Sequence, residues 1–193
     1  MKKIILALSF CLFFTNTLVF SQQAEKAVST KLLIEAGFDF GGDEILQVFF
    51  TNGSDQKMRA GQGINLGIGG ELQFSNMKHF MLRSAISLKW SPTAADDANI
   101  MFLRFPVHLT PFWKINNDFR FGVGITTHLN PKLRGDGFFP DVSYTSNTNP
   151  RFEFGYKWAA LTYTPMNYKD QQGEVFSGNS IGVSFSGTLP NKR

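Results

Sequence analysis

The chain has 193 residues, a formal net charge of +4 at pH 7, 21 phenylalanines and 18 glycines. The charge is small and no run of five or six basic residues occurs, so composition gives no reason to expect nucleic acid as a partner. Many aromatic and glycine residues, interrupted by Asn, Asp and Pro, are typical of a single all-β domain.

The first 21 residues have the three-part layout of a secretory signal peptide. Lys2 and Lys3 give a basic start, and residues 4–14 form an apolar run broken only by Ser9. This run is shorter than the roughly 20 residues that a membrane-spanning helix needs. We therefore predict export and cleavage after Ser21. Loss of Lys2 and Lys3 from the 19 basic residues leaves 17 against 15 acidic ones.

The single cysteine, Cys11, lies inside the predicted signal peptide. Phe10 precedes it where a lipoprotein signal needs a small residue, so we do not expect lipidation. The mature chain is therefore expected to have no disulfide, no thiol chemistry and no thiolate metal site.

After a polar leader at 22–29, residues 30–193 form the predicted barrel domain. Apolar residues alternate there with polar or small ones, and a period of two indicates β-strands. No window of similar length shows a helical period. We predict eight antiparallel strands, at 32–40, 64–74, 80–90, 101–113, 119–129, 151–158, 160–167 and 180–186.

The connections between these strands alternate in length. Long connections at 41–60, 91–99, 130–150 and 168–179 are separated by short turns at 76–78, 114–118 and 158–160. Membrane barrels have long loops outside and short turns on the periplasmic side. An even number of strands then places both termini in the periplasm.

The two faces of the predicted strands differ in a way that favours a transmembrane barrel. One face is bulky and aromatic, as a lipid-contacting surface is, whereas the other is rich in Gly, Ser and Thr with a few charges. The lumen of an eight-stranded barrel is only wide enough for packed side chains. Trp90, Trp113 and Trp158 fall at strand ends, where aromatic girdles form. The alternative is a soluble sandwich or lipocalin-type barrel with the phenylalanine face as its core.

The eight alternating segments, the glycine-rich stretch 61–70 and the stretches 163–168 and 177–182 resemble the small outer-membrane barrels of the OmpA and OmpX type. They also resemble the many chains described as outer membrane β-barrel domain or porin-family proteins. The resemblance implies a transmembrane barrel in the bacterial outer membrane, with outer-membrane lipid and the barrel-assembly machinery as partners. Such barrels usually end on an aromatic residue, whereas this chain ends Leu-Pro-Asn-Lys-Arg, so Phe185 is the candidate substitute.

Three short motifs are explained better by turns and packing than by chemistry. Residues 41–45, Gly-Gly-Asp-Glu-Ile, match part of a cyclase hairpin, but an exported β-chain lacks the rest of that site. Gly61, Gly63 and Gly67 keep a period of two and precede no helix, so they do not form a dinucleotide loop. Residues 52–54 match a glycosylation sequon, but Asn-Gly is first of all a turn.

Candidate ligand and catalytic residues are few. His108 and His128 are predicted to point into the barrel, and His79 lies by a short turn. Interior polar packing is the expected role of the first two, because metal sites and hydrolase triads need further converging groups. Loop acids without metal-loop spacing are expected to be solvated; they are Asp96, Asp97, Asp136 and Asp141. We therefore predict no catalytic residue, no metal and no cofactor.

Two residue sets remain as candidate sites. The first is an interior mixed-charge network, placed on the inward face by the alternation of the strands: Glu35, Glu71, Arg83, Arg104, Arg120 and Glu153. The second consists of two pairs of large apolar residues in otherwise polar connections: Phe49, Phe50, Phe138 and Phe139. Such residues either contact a binding partner or extend the strands above the membrane and pack loop on loop, and the sequence favours neither role.

The sequence thus predicts a non-enzymatic outer-membrane barrel with a structural or surface-binding role through its long external loops. A lipid-modifying barrel enzyme that uses His108 or His128 is the alternative from another class. A narrow gated pore is a third alternative, which the full lumen of an eight-stranded barrel disfavours.

Overall fold

The computed structural model describes residues 28–50, 53–93 and 99–190. The predicted signal peptide, most of the polar leader, Asn52, Asp96 and Asp97 lie outside these residues. No helix in the described part of the chain is long and apolar enough to cross a membrane. The strands are β1 (Val28–Phe40), β2 (Glu44–Phe49), β3 (Asp55–Arg59), β4 (Gly63–Phe74), β5 (Phe80–Pro92), β6 (Met101–Lys114), β7 (Phe119–Arg134), β8 (Val142–Ser143), β9 (Thr145–Ser146), β10 (Asn149–Tyr156), β11 (Ala159–Thr164), β12 (Asn167–Lys169), β13 (Val175–Ser177) and β14 (Ser180–Leu189).

Eight of these strands form one closed antiparallel barrel. Their order is β1-β4-β5-β6-β7-β10-β11-β14, and β14 pairs again with β1. They are the eight strands that the alternation predicted, so the all-β barrel fold is confirmed. Each barrel strand pairs with the barrel strand that follows it in the chain, because a short turn or a compact connection joins the two. Only β1 and β14 are brought together from the two ends of the domain.

The apolar face of the strands points outward. Leu66, Ile125 and Leu161 are more than half exposed, whereas Thr110, Thr126 and Thr162 are buried inside the barrel. This orientation is the reverse of a soluble barrel and corrects the alternative in which the phenylalanine face forms the core. The barrel is therefore of the transmembrane type.

Small residues inside the barrel make room for long charged ones. A Cβ added to Gly155 would lie 2.5 Å from Cζ of Arg120, so only glycine lets this guanidinium cross the lumen at that level. A Cβ added to Gly122 would lie 2.5 Å from the ring of Phe112. These positions show why the inward face combines glycines with arginines and a phenylalanine.

The two ends of the barrel differ. The short-turn end carries the turns 75–79, 115–118 and 157–158, and the long-loop end carries the connections 41–62, 93–100, 135–148 and 165–179. Trp113 and Trp158 are 60% and 63% exposed on the outer face near the short-turn end. The Trp158 ring lies 5.4 Å from that of Phe185. These aromatic residues form a girdle of the kind found at membrane interfaces.

Strand β7 continues beyond its predicted end at Leu129. Asn130 adopts φ 49°, a left-handed conformation that asparagine tolerates, and the β6–β7 register shifts between Leu103 and Phe105. The bulge changes the alternation of β7, so that Leu133 is buried rather than exposed. Alternation alone could not predict this extension, because it assumes an unbroken period of two.

Candidate functional site: a folded cap over a filled barrel

The connections at the long-loop end form a second folded layer, which we call the cap (the described residues of 41–62, 99–102, 131–148 and 165–179). β2 and β3 form a hairpin in the first connection, while β9, β12 and β13 form a three-stranded sheet from the third and fourth. β8 pairs with the extension of β7. The sequence predicted these segments as loops. β8, β9, β12 and β13 have only two or three residues each, and the longer β2 and β3 do not alternate between apolar and polar residues.

The cap has its own hydrophobic core. The rings of Phe102 and Tyr168 lie 5.5 Å apart, and Phe102 lies 5.5 Å from Tyr144, both pairs edge to face. Such pairs stabilise a core beyond the area they bury. The buried members of the cap core are Met58, Ala60, Ile100, Phe102, Leu133, Tyr144, Met166 and Tyr168.

Arg104 joins the cap to the barrel. Its side chain is 0% exposed and donates hydrogen bonds to the backbone carbonyls of Ala60 and Gln62. Its guanidinium lies 4.3 Å from the ring centroid of Phe102. Arg104 thus points inward, as expected, but no carboxylate of the described chain lies within ion-pair distance of it.

His128 makes a second connection between barrel and cap. Its Nδ1 forms a hydrogen bond with the Tyr168 hydroxyl. Its backbone N–H donates to Ser146 Oγ at 3.0 Å, and the Ser146 hydroxyl donates to the His128 carbonyl at 2.8 Å. Burial raises the pKa of the Tyr168 hydroxyl, which therefore stays neutral and hydrogen-bonded.

Two ion-pair groups fill the lumen near the short-turn end. Arg83 Nη2 lies 2.8 Å from Glu71, and Arg120 Nη2 lies 3.3 Å from Glu153. Arg151 also pairs with Glu153, at 3.2 Å. Four of the six residues proposed for the interior network thus meet in two separate pairs, and Arg151 joins them without having been predicted.

Glu35 lies between these pairs and the cap, and its partners are not arginines. It accepts a hydrogen bond from Ser87 at 2.8 Å and lies 3.2 Å from Nε2 of His108. A further pair that the sequence analysis missed joins Lys89 to Asp39 at 2.7 Å. Both residues lie on the inward faces of their strands, so the alternation of those strands could have predicted them as interior charges.

A small cavity lies among these lumen groups. It measures about 30 Å³ and is lined by Glu35, Asp39, Lys89, His108, His128 and Arg151, among others. A space of this size holds one or two water molecules. The lumen is therefore filled by side chains rather than open as a channel.

The interior histidines do not form a hydrolase triad. Ser87 donates to Glu35 rather than to His108, although a serine nucleophile needs its histidine within hydrogen-bond reach. His128 instead contacts Tyr168. The described residues contain no group of three or more His, Cys, Asp or Glu that could hold a metal ion.

The two phenylalanine pairs each divide into an exposed and a packed member. Phe49 is 75% exposed and Phe138 is 67% exposed. Phe139 packs against the cap core, and Phe50 is half-buried where its N–H donates to the Ser54 carbonyl at 2.9 Å. The sequence could not distinguish the members of a pair, because the difference depends on loop conformation.

Loop acids proposed as solvated serve local structure. Asp136 accepts a hydrogen bond from the Asn99 N–H at 2.7 Å, and Asp141 pairs with Lys132 at 2.8 Å. The hydrogen bond from Lys132, followed by one from the Gly135 N–H, lowers the pKa of Asp141. The 41–45 motif forms the turn between β1 and β2, where Gly42 has φ 82°.

No protein-family model matches the chain, and no curated protein matches it. Among solved structures, it is similar to Ail, the attachment invasion locus protein of Yersinia pestis, in complex with the heparin analogue sucrose octasulfate. The identity is 10% and the TM-score 0.46, covering 82% of this chain and 97% of that one. A further crystal structure of Ail gives 12% identity and TM-score 0.46 over the same shares.

The backbone structure of the outer membrane protein Ail in a phospholipid bilayer nanodisc gives 12% identity and TM-score 0.39, over 82% of this chain and 100% of that one. The strand order of this chain's own barrel and its apolar outer face do not depend on these likenesses. They give the chain the fold of a small outer-membrane β-barrel covered at one end by a cap.

Proposed function

We propose that this protein binds partners at the bacterial cell surface through its cap and performs no catalysis. The observation that supports the proposal is that the cap has a buried core of its own and still leaves large apolar side chains exposed. Phe49, Phe138 and Val175 project from it, at 75%, 67% and 60% exposure. Exposed apolar groups on a rigid support are typical of contact surfaces.

The topology that serves this role places the cap outside the cell and both termini in the periplasm. The barrel sits in outer-membrane lipid after the barrel-assembly machinery has inserted it, with Phe185 as the aromatic residue of the last strand. The predicted signal peptide, the alternation of connection lengths and the aromatic girdle at the short-turn end support this arrangement.

Adherence of bacteria that express the protein to a cultured epithelial monolayer tests the role of the cap. The double variant Phe49→Ser/Phe138→Ser should reduce adherence at least severalfold, because it removes two exposed apolar contacts without touching the cap core. The matched control, Met77→Ser/Ile115→Ser, changes two residues of 51% and 55% exposure at the short-turn end.

The control variant should adhere like the parent. Equal adherence of the cap variant and the parent, at equal amounts of folded barrel, contradicts the proposal. Bare polystyrene provides a second surface. An equal loss of adherence on polystyrene and on the monolayer would show general stickiness and would also contradict the proposal.

A further inference from the structure

The short-turn end holds a cleft of about 570 Å³ between the turns 75–79 and 115–118. We call it the basic cleft, because its lining includes two lysines and a histidine and no aspartate or glutamate. Its main lining residues are Gln73, Phe74, Lys78, His79, Lys114 and Asn116. It lies at the opposite end of the barrel from the cap, so its role is independent of surface binding.

The lysines of the basic cleft have no ion-pair partner among the described residues. No carboxylate there lies within ion-pair distance of Lys78 or Lys114. Glu71 acts on Lys114 only at longer range, and it is itself paired with Arg83. Lys114 Nζ donates to the neutral amide oxygen of Gln73 at 2.9 Å. The cleft therefore carries an uncompensated positive charge that attracts an anion.

Hydrogen bonds hold the side chains of Gln73, His79 and Lys114 in place before any ligand arrives. The Gln73 amide donates to the carbonyls of Lys78 and Phe80, at 3.1 and 3.3 Å, and so fixes the oxygen that binds Lys114. His79 Nδ1 donates to the Lys114 carbonyl at 3.1 Å, which fixes the orientation of the ring beside Lys114. A preorganised set of donors binds an anion at a lower entropic cost.

The cleft also borders the lipid-facing surface. The ring of His79 stacks on that of Trp113 at 5.8 Å, and Trp113 belongs to the aromatic girdle. Phe74 lines the cleft and lies 5.9 Å from Phe80 on the outer face. Lipid headgroups lie at the level of such a girdle, with their acyl chains against the adjoining apolar side chains.

We propose that the basic cleft binds the phosphate of a phospholipid headgroup that carries a net negative charge. Lys78 and Lys114 supply the charge and the hydrogen bonds, and Trp113 and Phe74 contact the start of the acyl chains. A zwitterionic headgroup binds less well, because its own cation is repelled by the same two lysines.

Native mass spectrometry of the full-length protein, released from mixed micelles of phosphatidylglycerol and phosphatidylcholine, tests this proposal. The parent should retain phosphatidylglycerol in preference to phosphatidylcholine. Lys78→Gln and Lys114→Gln should each lower that preference about fivefold, the usual effect of one lysine near an anionic membrane surface. The matched control is Lys157→Gln, an exposed lysine beside Tyr156 in a different turn.

Three outcomes overturn the proposal: retention by Lys78→Gln equal to the parent, an equal loss in Lys157→Gln, or displacement of the lipid by an excess of inorganic phosphate. The last outcome would assign the cleft to a free anion instead. The folded band on unheated gels checks each variant, and the exposed Lys78 provides a test even where Lys114→Gln fails to fold. The proposal is supported if only the cleft variants lose phosphatidylglycerol and an excess of inorganic phosphate does not displace the lipid from the parent.

Discussion

Arg104 is a buried cation whose partners are backbone carbonyls rather than carboxylates. The alternation of β6 was sufficient to place it inside the barrel. Its partners, the carbonyls of Ala60 and Gln62, lie in the connection that precedes β4, and nothing in the sequence marks a carbonyl as a ligand. The charge of Arg104 is therefore used to hold the first connection of the cap against the barrel wall.

Arg104→Met should destabilise the folded barrel by about 2–5 kcal/mol, because two buried carbonyls lose their donor and the cation–π contact with Phe102 disappears. The change is measured as a lower urea midpoint of the protein folded in lipid vesicles. Removal of an acid, as in Glu71→Gln, should not restore any of the loss, since no acid is left without its partner.

Arg83→Met provides the contrast, because Arg83 lies 2.8 Å from Glu71. Its loss should be recovered in part by Glu71→Gln, which removes the uncompensated charge. Equal rescue of Arg104→Met by an acid variant would show that Arg104 belongs to the carboxylate network proposed from sequence. An Arg104→Met protein as stable as the parent would contradict its role at the junction of barrel and cap.

At the scale of elements, the eight barrel strands were predictable and the cap strands were not. A strand such as β7 displays many alternating residues, so chance cannot easily imitate its pattern. β8 and β9 contain two residues each, too few to show any period. β8 forms by pairing with the bulged end of β7, and β9 forms by pairing with β12 in the next long connection.

The division of each phenylalanine pair predicts different effects of two neighbouring changes. Phe139→Ser should destabilise the cap by about 2 kcal/mol, because Phe139 packs against the cap core. Phe138→Ser should leave stability unchanged, since its ring is 67% exposed. The rate of proteolytic cleavage within residues 131–148 measures the difference while the barrel itself stays resistant. Equal cleavage rates for the two variants would mean that Phe139 does not support the cap.

The pairing of interior charges illustrates a further limit of sequence reasoning. Alternation assigns a residue to a face but not to a partner, because neighbours across the lumen come from strands far apart in the chain. Glu35 and His108 are separated by 73 residues and still meet at 3.2 Å. The set of inward charges was thus largely predictable, whereas the pairs required the barrel.

At the scale of the whole molecule, the orientation in the membrane can be tested with single cysteines. The mature chain lacks cysteine if Cys11 is removed with the signal peptide. Ser54→Cys, in the β2–β3 connection, should react with a membrane-impermeant maleimide on intact cells, whereas Asn117→Cys, in the turn between β6 and β7, should not. Both positions are exposed, so a difference in labelling reports sidedness rather than burial.

The readout is the fraction of each variant that is labelled before and after the cells are lysed. Asn117→Cys should become reactive only after lysis, which controls for the reactivity of the thiol itself. Labelling of Asn117→Cys but not of Ser54→Cys on intact cells would reverse the orientation and place the cap in the periplasm.

The pairing of β1 with β14 has a consequence for how the molecule is made. This seam joins Phe40 to Ile181 and Leu32 to Leu189, so nearly the whole domain must be synthesised before the ring of hydrogen bonds can close. Contacts so distant in sequence are slow to form, since a long chain must be ordered before they repay its entropy. Until then β1 and β11 each have an edge with unpaired backbone N–H and C=O groups, and lipid offers these groups no hydrogen-bond partner. Closure of the barrel therefore requires β14, and a chain that ends before β14 has no stable place in the bilayer.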